Sequence, residues 1–193
     1  VETSCGNETE LEQYPWAVLL RIVFRFGNEV EEFTCGGSLI SAMYVITAAH
    51  CVQEKDLNKC LYLWRSTALH RLINKLNYNA ISPICLAPLN IDTPVLTNLS
   101  LAVAGWGQNR QFFTNVKQST ILKLISKEEC EKSYPNISKD HICAVGSTGQ
   151  DTCRGDSGGP LMVFFSKRLL LYPKIRPTYT LHSIEWINVG LPC

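Results

Sequence analysis

Nine cysteines in 193 residues constrain this chain more than any other feature. They do not fall into the paired CxxC spacings that hold zinc, and so many thiols are out of place in a reducing compartment. Disulfides are therefore the expected use. Three Asn-x-Ser/Thr sequons, at Asn7, Asn98 and Asn136, agree with export. No charged leader with an apolar core precedes Val1, and no apolar run reaches the ~18 residues of a membrane span. The chain reads as a mature or internal piece of a secreted, extracellular protein with no membrane span. Lys and Arg number 18 against 17 Asp and Glu, for a net charge of +1, so no large cationic excess is available to neutralise phosphates. That argues against nucleic acid as a partner.

The length suits one domain with a substantial core, or two small ones. Val1 to Gln13, with Glu2, Glu8, Glu10 and Glu12, reads as a polar lead-in (1–13), and the domain proper as 14–193. From Trp16 to Phe26 the pattern AVLLRIVFRF alternates in part and is rich in β-branched and aromatic residues, which predicts a strand. Cys35 to Ala49 predicts a strand pair through Gly36-Gly37 that ends at His50. Leu101 to Gly107 reads as a buried strand ending in a Gly turn, and Ile121 to Ile125 as another. One short helix is expected near Ser126 to Ser133, where Ser126 and Glu129 have capping-box spacing. Short strands joined by turns, with almost no long 3.6-residue period, predict an all-β fold.

Chemistry concentrates in QDTCRGDSGGPL, Gln150 to Leu161. A Ser hydroxyl becomes a useful nucleophile only when a base takes its proton and N–H groups hold the charge that forms on the carbonyl oxygen. Gly155, Gly158 and Gly159 permit the sharp turn that raises Ser157. A second stretch, Cys35 to Cys51 (CGGSLISAMYVITAAHC), supplies a His beside a Cys. Together with Tyr14 to Trp16, Pro83 to Leu86 (PICL) and Gly105 to Gly107 (GWG), these segments resemble the chymotrypsin-like serine proteases. TELEQYPW and ISPICLAPL are most similar to the arthropod clip-domain group.

The resemblance implies two six-stranded antiparallel barrels, with His50 as general base, Ser157 as nucleophile and the N–H groups of Gly155 and Ser157 as the oxyanion hole. Asp151 then lies at the base of a specificity pocket that selects Arg or Lys through charge-assisted hydrogen bonds. The implied bridges are Cys35 with Cys51, Cys130 with Cys143, Cys153 with Cys193, and Cys5 with Cys85, leaving Cys60 unpaired. Protein substrates, protease-cascade partners and serpin-type inhibitors are also implied. No cofactor or metal is implied, and no acidic loop suggests calcium.

Several features depart from the family pattern. The His-to-Ser spacing is about 30 residues shorter than in the triad template. Ala68-Leu69-His70-Arg71-Leu72 resembles the run that follows the orienting Asp, which puts that Asp at Ser66, close to the template's Asp-to-Ser spacing of about 93 residues. Asp56 and Asp92 are alternatives that need a rearranged barrel. Asp156 is expected to lack the Ile-Val amine that pairs with it, and a buried carboxylate without a cation costs several kcal/mol or stays protonated. Glu185 and Ile187 stand where the family has a small residue and a Gly, and the closing C-terminal helix is expected to be missing. Two readings follow: an impaired trypsin-like endopeptidase domain of extracellular cascades, or a non-catalytic homologue that binds without cleaving.

Overall fold

The computed structural model describes residues 7–10, 12–26, 28–52, 67–71, 81–87, 100–109, 112–135, 143–146, 150, 152–165 and 168–172. Among them are twelve strands and one α-helix, an all-β architecture built on two antiparallel sheets. The first sheet orders β2 (Ala17–Phe26), β3 (Glu29–Ser41), β4 (Tyr44–Ala48) and β5 (Thr67–Arg71) side by side. Gly36 and Gly37 do not turn the chain. They lie inside β3, opposite Leu19 and Val18 of β2, and the reversal falls at Ala42-Met43. The reason is tertiary: a Cβ on Gly36 would come within 2.6 Å of Gly159 Cα, so this glycine makes room for another backbone rather than for a bend.

The second sheet runs β1 (Asn7–Glu8), β9 (Gln118–Ile125), β6 (Leu101–Gly105), β11 (Leu161–Phe165) and β12 (Arg168–Leu171). β10 (Cys143–Gly146) shares β9 with β1, β1 pairing at Gln118-Ser119 and β10 at Leu122 to Ile125. β6 is apolar without alternation because neighbours cover both its faces, and all five residues are buried. β9 alternates, with Thr120 and Leu122 buried and Ile121 and Lys123 exposed. A two-stranded ribbon, β7 (Gln108–Asn109) with β8 (Phe112–Phe113), stands apart.

The helix α1 (Lys127–Ser133) starts where its cap predicts, and the Glu129 N–H donates to Ser126 Oγ at 3.2 Å. The Glu128 carboxylate, rather than that of Glu129, interacts with the Ser126 side chain. Its own backbone N–H and Ser126 hold it below the usual carboxyl range. Glu129 instead accepts from Lys132. The helix is tied to β10 by the Cys130–Cys143 bridge.

One core cluster joins the two sheets. Ile46 of the first packs with Leu101, Val103, Leu122, Leu161, Met162 and Leu171 of the second. The segment entering β2 is wedged at this junction. Trp16 donates its indole N–H to Met162 Sδ at 3.1 Å, and its carbonyl accepts from the Leu39 N–H at 2.9 Å. Tyr14 adopts φ 57, a region costly for a residue with a Cβ. Its carbonyl and that of Gln13 accept from Lys117 Nζ. Burial lowers the Lys117 pKa, and its ammonium also stands 6.0 Å from the Trp106 ring.

Candidate active site

His50 follows β4 in a single 3₁₀ turn, Ala49–Cys51, and the Cys35–Cys51 bridge fastens that turn to β3. Thr47, just upstream, donates its hydroxyl to the Gly36 carbonyl at 2.7 Å. His50 is therefore exposed on a rigid base. A ring nitrogen of His50 and the sulfurs of Cys35 and Cys51 lie within 4.8 Å of one another, a cluster with the outline of a metal site. The two sulfurs are bonded together, so neither is a thiolate and the cluster is not a metal centre.

Ser157 sits half-buried in the turn that enters β11. The turn closes on itself, with Asp156 N–H donating to Cys153 O at 3.0 Å and Gly159 N–H to Asp156 O at 2.9 Å. Gly155 and Gly158 have φ of +99° and +80°, which side-chain-bearing residues rarely adopt. A Cβ on Gly158 would collide with Thr47 Oγ1 and approach Ala48 N and Gly36 O to 2.7 Å. The turn is also docked on the first sheet. Gly36 N–H donates to the Ser157 carbonyl at 2.8 Å, and Cys51 Sγ lies 3.6 Å from that oxygen. Ser157 thus meets, through its own backbone, the residue next to His50.

Asp156 is buried beneath the turn at 8% exposure. Its Oδ1 accepts from Gly107 N–H at 2.7 Å and its Oδ2 from Cys153 N–H at 2.9 Å, while Trp106 contributes a further backbone hydrogen bond. No cation pairs with it among the described residues. Desolvation is the largest influence and pushes its carboxyl up to about 6, against the downward pull of those three N–H groups. Gly105 and Gly107 leave the space the carboxylate fills, since a Cβ on either would collide with its oxygens. Sequence reasoning singled out Asp156 and the Gly-Trp-Gly run separately; nothing in their spacing joins them.

Asp151 and Ser66 lie outside the described residues, as do Cys5, Cys60, Cys193, Glu185 and Ile187. Their neighbours are informative. Gln150 Oε1 accepts from Thr120 Oγ1 at 2.8 Å, and Thr152 is 3% exposed, so the chain on both sides of residue 151 is fixed against the second sheet. Thr67, the first residue after Ser66, pairs with Ala48, two residues before His50. Cys85 and Cys153 are disulfide-bonded, and the partners expected for them, Cys5 and Cys193, are not among the described residues.

Beside Gly155 opens a cleft of about 420 Å³ that sequence reasoning did not anticipate. Arg21, Glu32 and Thr34 of the β2–β3 hairpin line it on one side, and Gln108, Arg154 and Gly155 on the other. Arg21 and Glu32 pair across the strands, with Nη2 at 2.9 and 2.8 Å from the two carboxylate oxygens and Nε at 3.2 Å from Oε2.

A profile of the Trypsin family matches residues 4–71 and 65–165. The chain is 30% identical to CLIP domain-containing serine protease B10 of Anopheles gambiae, the match covering 82% of this chain and 58% of that protein. It is 31% identical to CLIP domain-containing serine protease HP8 of Bombyx mori, over 81% of this chain and 56% of the relative. Phenoloxidase-activating factor 1 of Holotrichia diomphalia is 28% identical, over 81% and 57%. The chain spans a little over half the length of these relatives.

Proposed function

The chain belongs to the trypsin family, and we propose that it is a serine endopeptidase domain that cleaves after Arg or Lys in an extracellular proteolytic cascade, at a reduced rate. The observation that carries this reading is the docking of the Ser157 turn on Gly36 and Cys51, which brings the Ser-bearing turn to the His-bearing one. His50 takes the Ser157 proton as Oγ attacks the scissile carbonyl, then returns it to the leaving amine, and water completes the cycle by hydrolysing the acyl ester. The N–H groups of Gly155 and Ser157 hold the developing oxyanion, and the positive φ of Gly155 supports that role. Asp151 receives the cationic side chain. Relatives named as an activating factor and as clip-domain proteases support protein substrates. The disulfides support an oxidising, extracellular setting. No helix among the described residues is long and apolar enough to cross a membrane.

The reduced rate follows from Ser66 standing where a carboxylate orients the His. In the triad template that loss costs about 10⁴ in kcat while oxyanion stabilisation persists. A second reading, a non-catalytic homologue that binds protease partners or substrates, is favoured by Ser66 and by the Asp156 carboxyl, which has no cation among the described residues. Hydrolysis of an Arg ester by the purified chain decides between them. Turnover abolished by Ser157→Ala supports the enzyme, and turnover equal to that of the variant ends that reading. Fluorophosphonate labelling of Ser157 answers the same question without a substrate choice.

A further inference from the structure

We propose that the outer edge of β2 is a homodimer interface, at which the strand pairs antiparallel with β2 of a second copy of this chain. β2 ends the first sheet, and among the described residues no strand pairs with its outer edge. Its register with β3 runs from Ala17–Ser38 to Phe26–Glu29 without a bulge, and the strand holds no Pro. Open sheet edges are ordinarily guarded by bulges, prolines or charges. Of the two arginines in β2, Arg21 is a weak guard, because its guanidinium is turned onto both carboxylate oxygens of Glu32 in β3. Leu19 and Val23, on the same face as Arg21, are exposed. The edge is long, regular and largely apolar, which is what templates a further strand.

Hydrogen bonds fix which groups the edge presents. The Trp16 carbonyl accepts from the Leu39 N–H, while the Ala17 N–H turns the other way, to the Tyr14 carbonyl. Continued along the register, even-numbered residues of β2 bond to β3, and Leu19, Arg21, Val23 and Arg25 aim their N–H and C=O groups outward. A second β2 meets those groups only in registers that set odd positions against odd ones. Of the registers that overlap most of the strand, one sets Arg21 against Arg21 and another sets Arg21 against Arg25, opposing like charges. The register between them sets Arg21 against Val23 of the second copy and Leu19 against Arg25, so neither clash occurs. Its twofold axis passes through Ile22, which packs on the Cys35, Ala48 and Cys51 cluster and there faces its own copy in a close pair. The odd pairs exchange about eight N–H···O bonds. This self-complementarity is what a twofold interface requires, and it favours a second copy over an unrelated strand. Gly36, directly opposite Leu19, receives the Gly159 backbone on that same face, so the dimer presents both Ser157 turns on one side of a continuous sheet.

The interface does not depend on whether Ser157 reacts. The test is sedimentation equilibrium of the full chain between about 1 and 100 μM, the range of weak specific association, with hydrogen exchange at both ends of that range. A monomer–dimer equilibrium is expected, with the amides of Leu19, Arg21, Val23 and Arg25 slowing as the dimer forms. Val23→Pro removes an outward N–H and leaves the bonds to β3 in place, so it should give a folded monomer. Val23→Lys gains Glu32 as a partner within its own sheet but sets two cations against Arg21 across the axis. It should weaken the dimer about tenfold. Thermal unfolding checks that the variants fold, and the Lys variant decides if the Pro variant does not. A monomer throughout the range overturns the proposal, whether those amides are slow at every concentration because the chain covers its own edge or slow at none. So does a dimer that both variants leave unchanged, a dimer lost in Cys60→Ser, or association that runs on past the dimer.

Discussion

Raising the pH from 4 to 7 should weaken the fold through Asp156, and the amount can be worked from its surroundings. Its carboxyl titrates at about 6 in the folded chain and at about 3.9 when unfolded. Because the folded value is the higher one, the unfolded chain ionises first. The contribution to stability is complete below pH ~4, is lost as pH rises to about 6, and is flat beyond it. Two units at 1.36 kcal/mol each give a loss of about 3 kcal/mol. With its residue only 8% exposed, the group is not discounted for solvent screening. The assay is urea unfolding of the native chain and Asp156→Asn at pH 4, 5, 6 and 7, followed by tryptophan fluorescence. Asn sets an amide against the N–H groups of Gly107 and Cys153, but that cost does not vary with pH. The difference between the two stability curves therefore isolates the titration. It should fall by about 2 kcal/mol between pH 4 and pH 6, the larger part of the full loss. A flat difference would mean that the carboxyl is not desolvated, and a rising one that a cation pairs with it; either refutes the reasoning.

Three further outcomes are expected. Gly158→Ala should cost about 2–4 kcal/mol, from the left-handed backbone and the collision with Thr47, and should stop fluorophosphonate labelling; unfolding midpoints and labelling gels check both. Replacing Cys35 and Cys51 together by Ala opens a bridge spanning 16 residues. It should remove about 3 kcal/mol, read by thermal unfolding against the native chain. Lys117→Met removes the donor to the Gln13 and Tyr14 carbonyls and should cost about 1–3 kcal/mol. Hydrogen exchange should quicken at Ala17 and Leu39, whose N–H groups are bonded within that entry segment.

Local pattern made much of the fold legible. β6 shows as an uninterrupted apolar run because both faces are covered, the later part of β9 as the largely apolar stretch Ile121 to Ile125, and α1 by its Ser cap. Gly36-Gly37 misled because a glycine that bends a chain and one that admits another backbone look identical in sequence. The same limit applies to the site. The motifs named Ser157, His50 and Asp156, since their residue types and neighbours carry the chemistry. The Gly36 N–H bonded to Ser157 and the Trp106–Gly107 cradle of Asp156 are backbone contacts between remote segments, which leave no spacing to read. The cleft beside Arg154 is assembled from three separate stretches of chain and was invisible for that reason.

The joint between Gly36, Cys51 and the Ser157 turn has a kinetic consequence. Cys51 and Ser157 are 106 residues apart in sequence, and the contact forms between two sheets whose strand pairings, that of β1 with β9 excepted, span shorter stretches of chain. Long loops are closed late because their entropy is repaid only once both ends are structured. A refolding chain should regain its sheets before it regains a reactive Ser157. During synthesis, Gly36 and His50 emerge well before the turn they must receive. The nucleophile is assembled as the final fitting of two prebuilt halves, so a partly folded chain carries the serine without the chemistry.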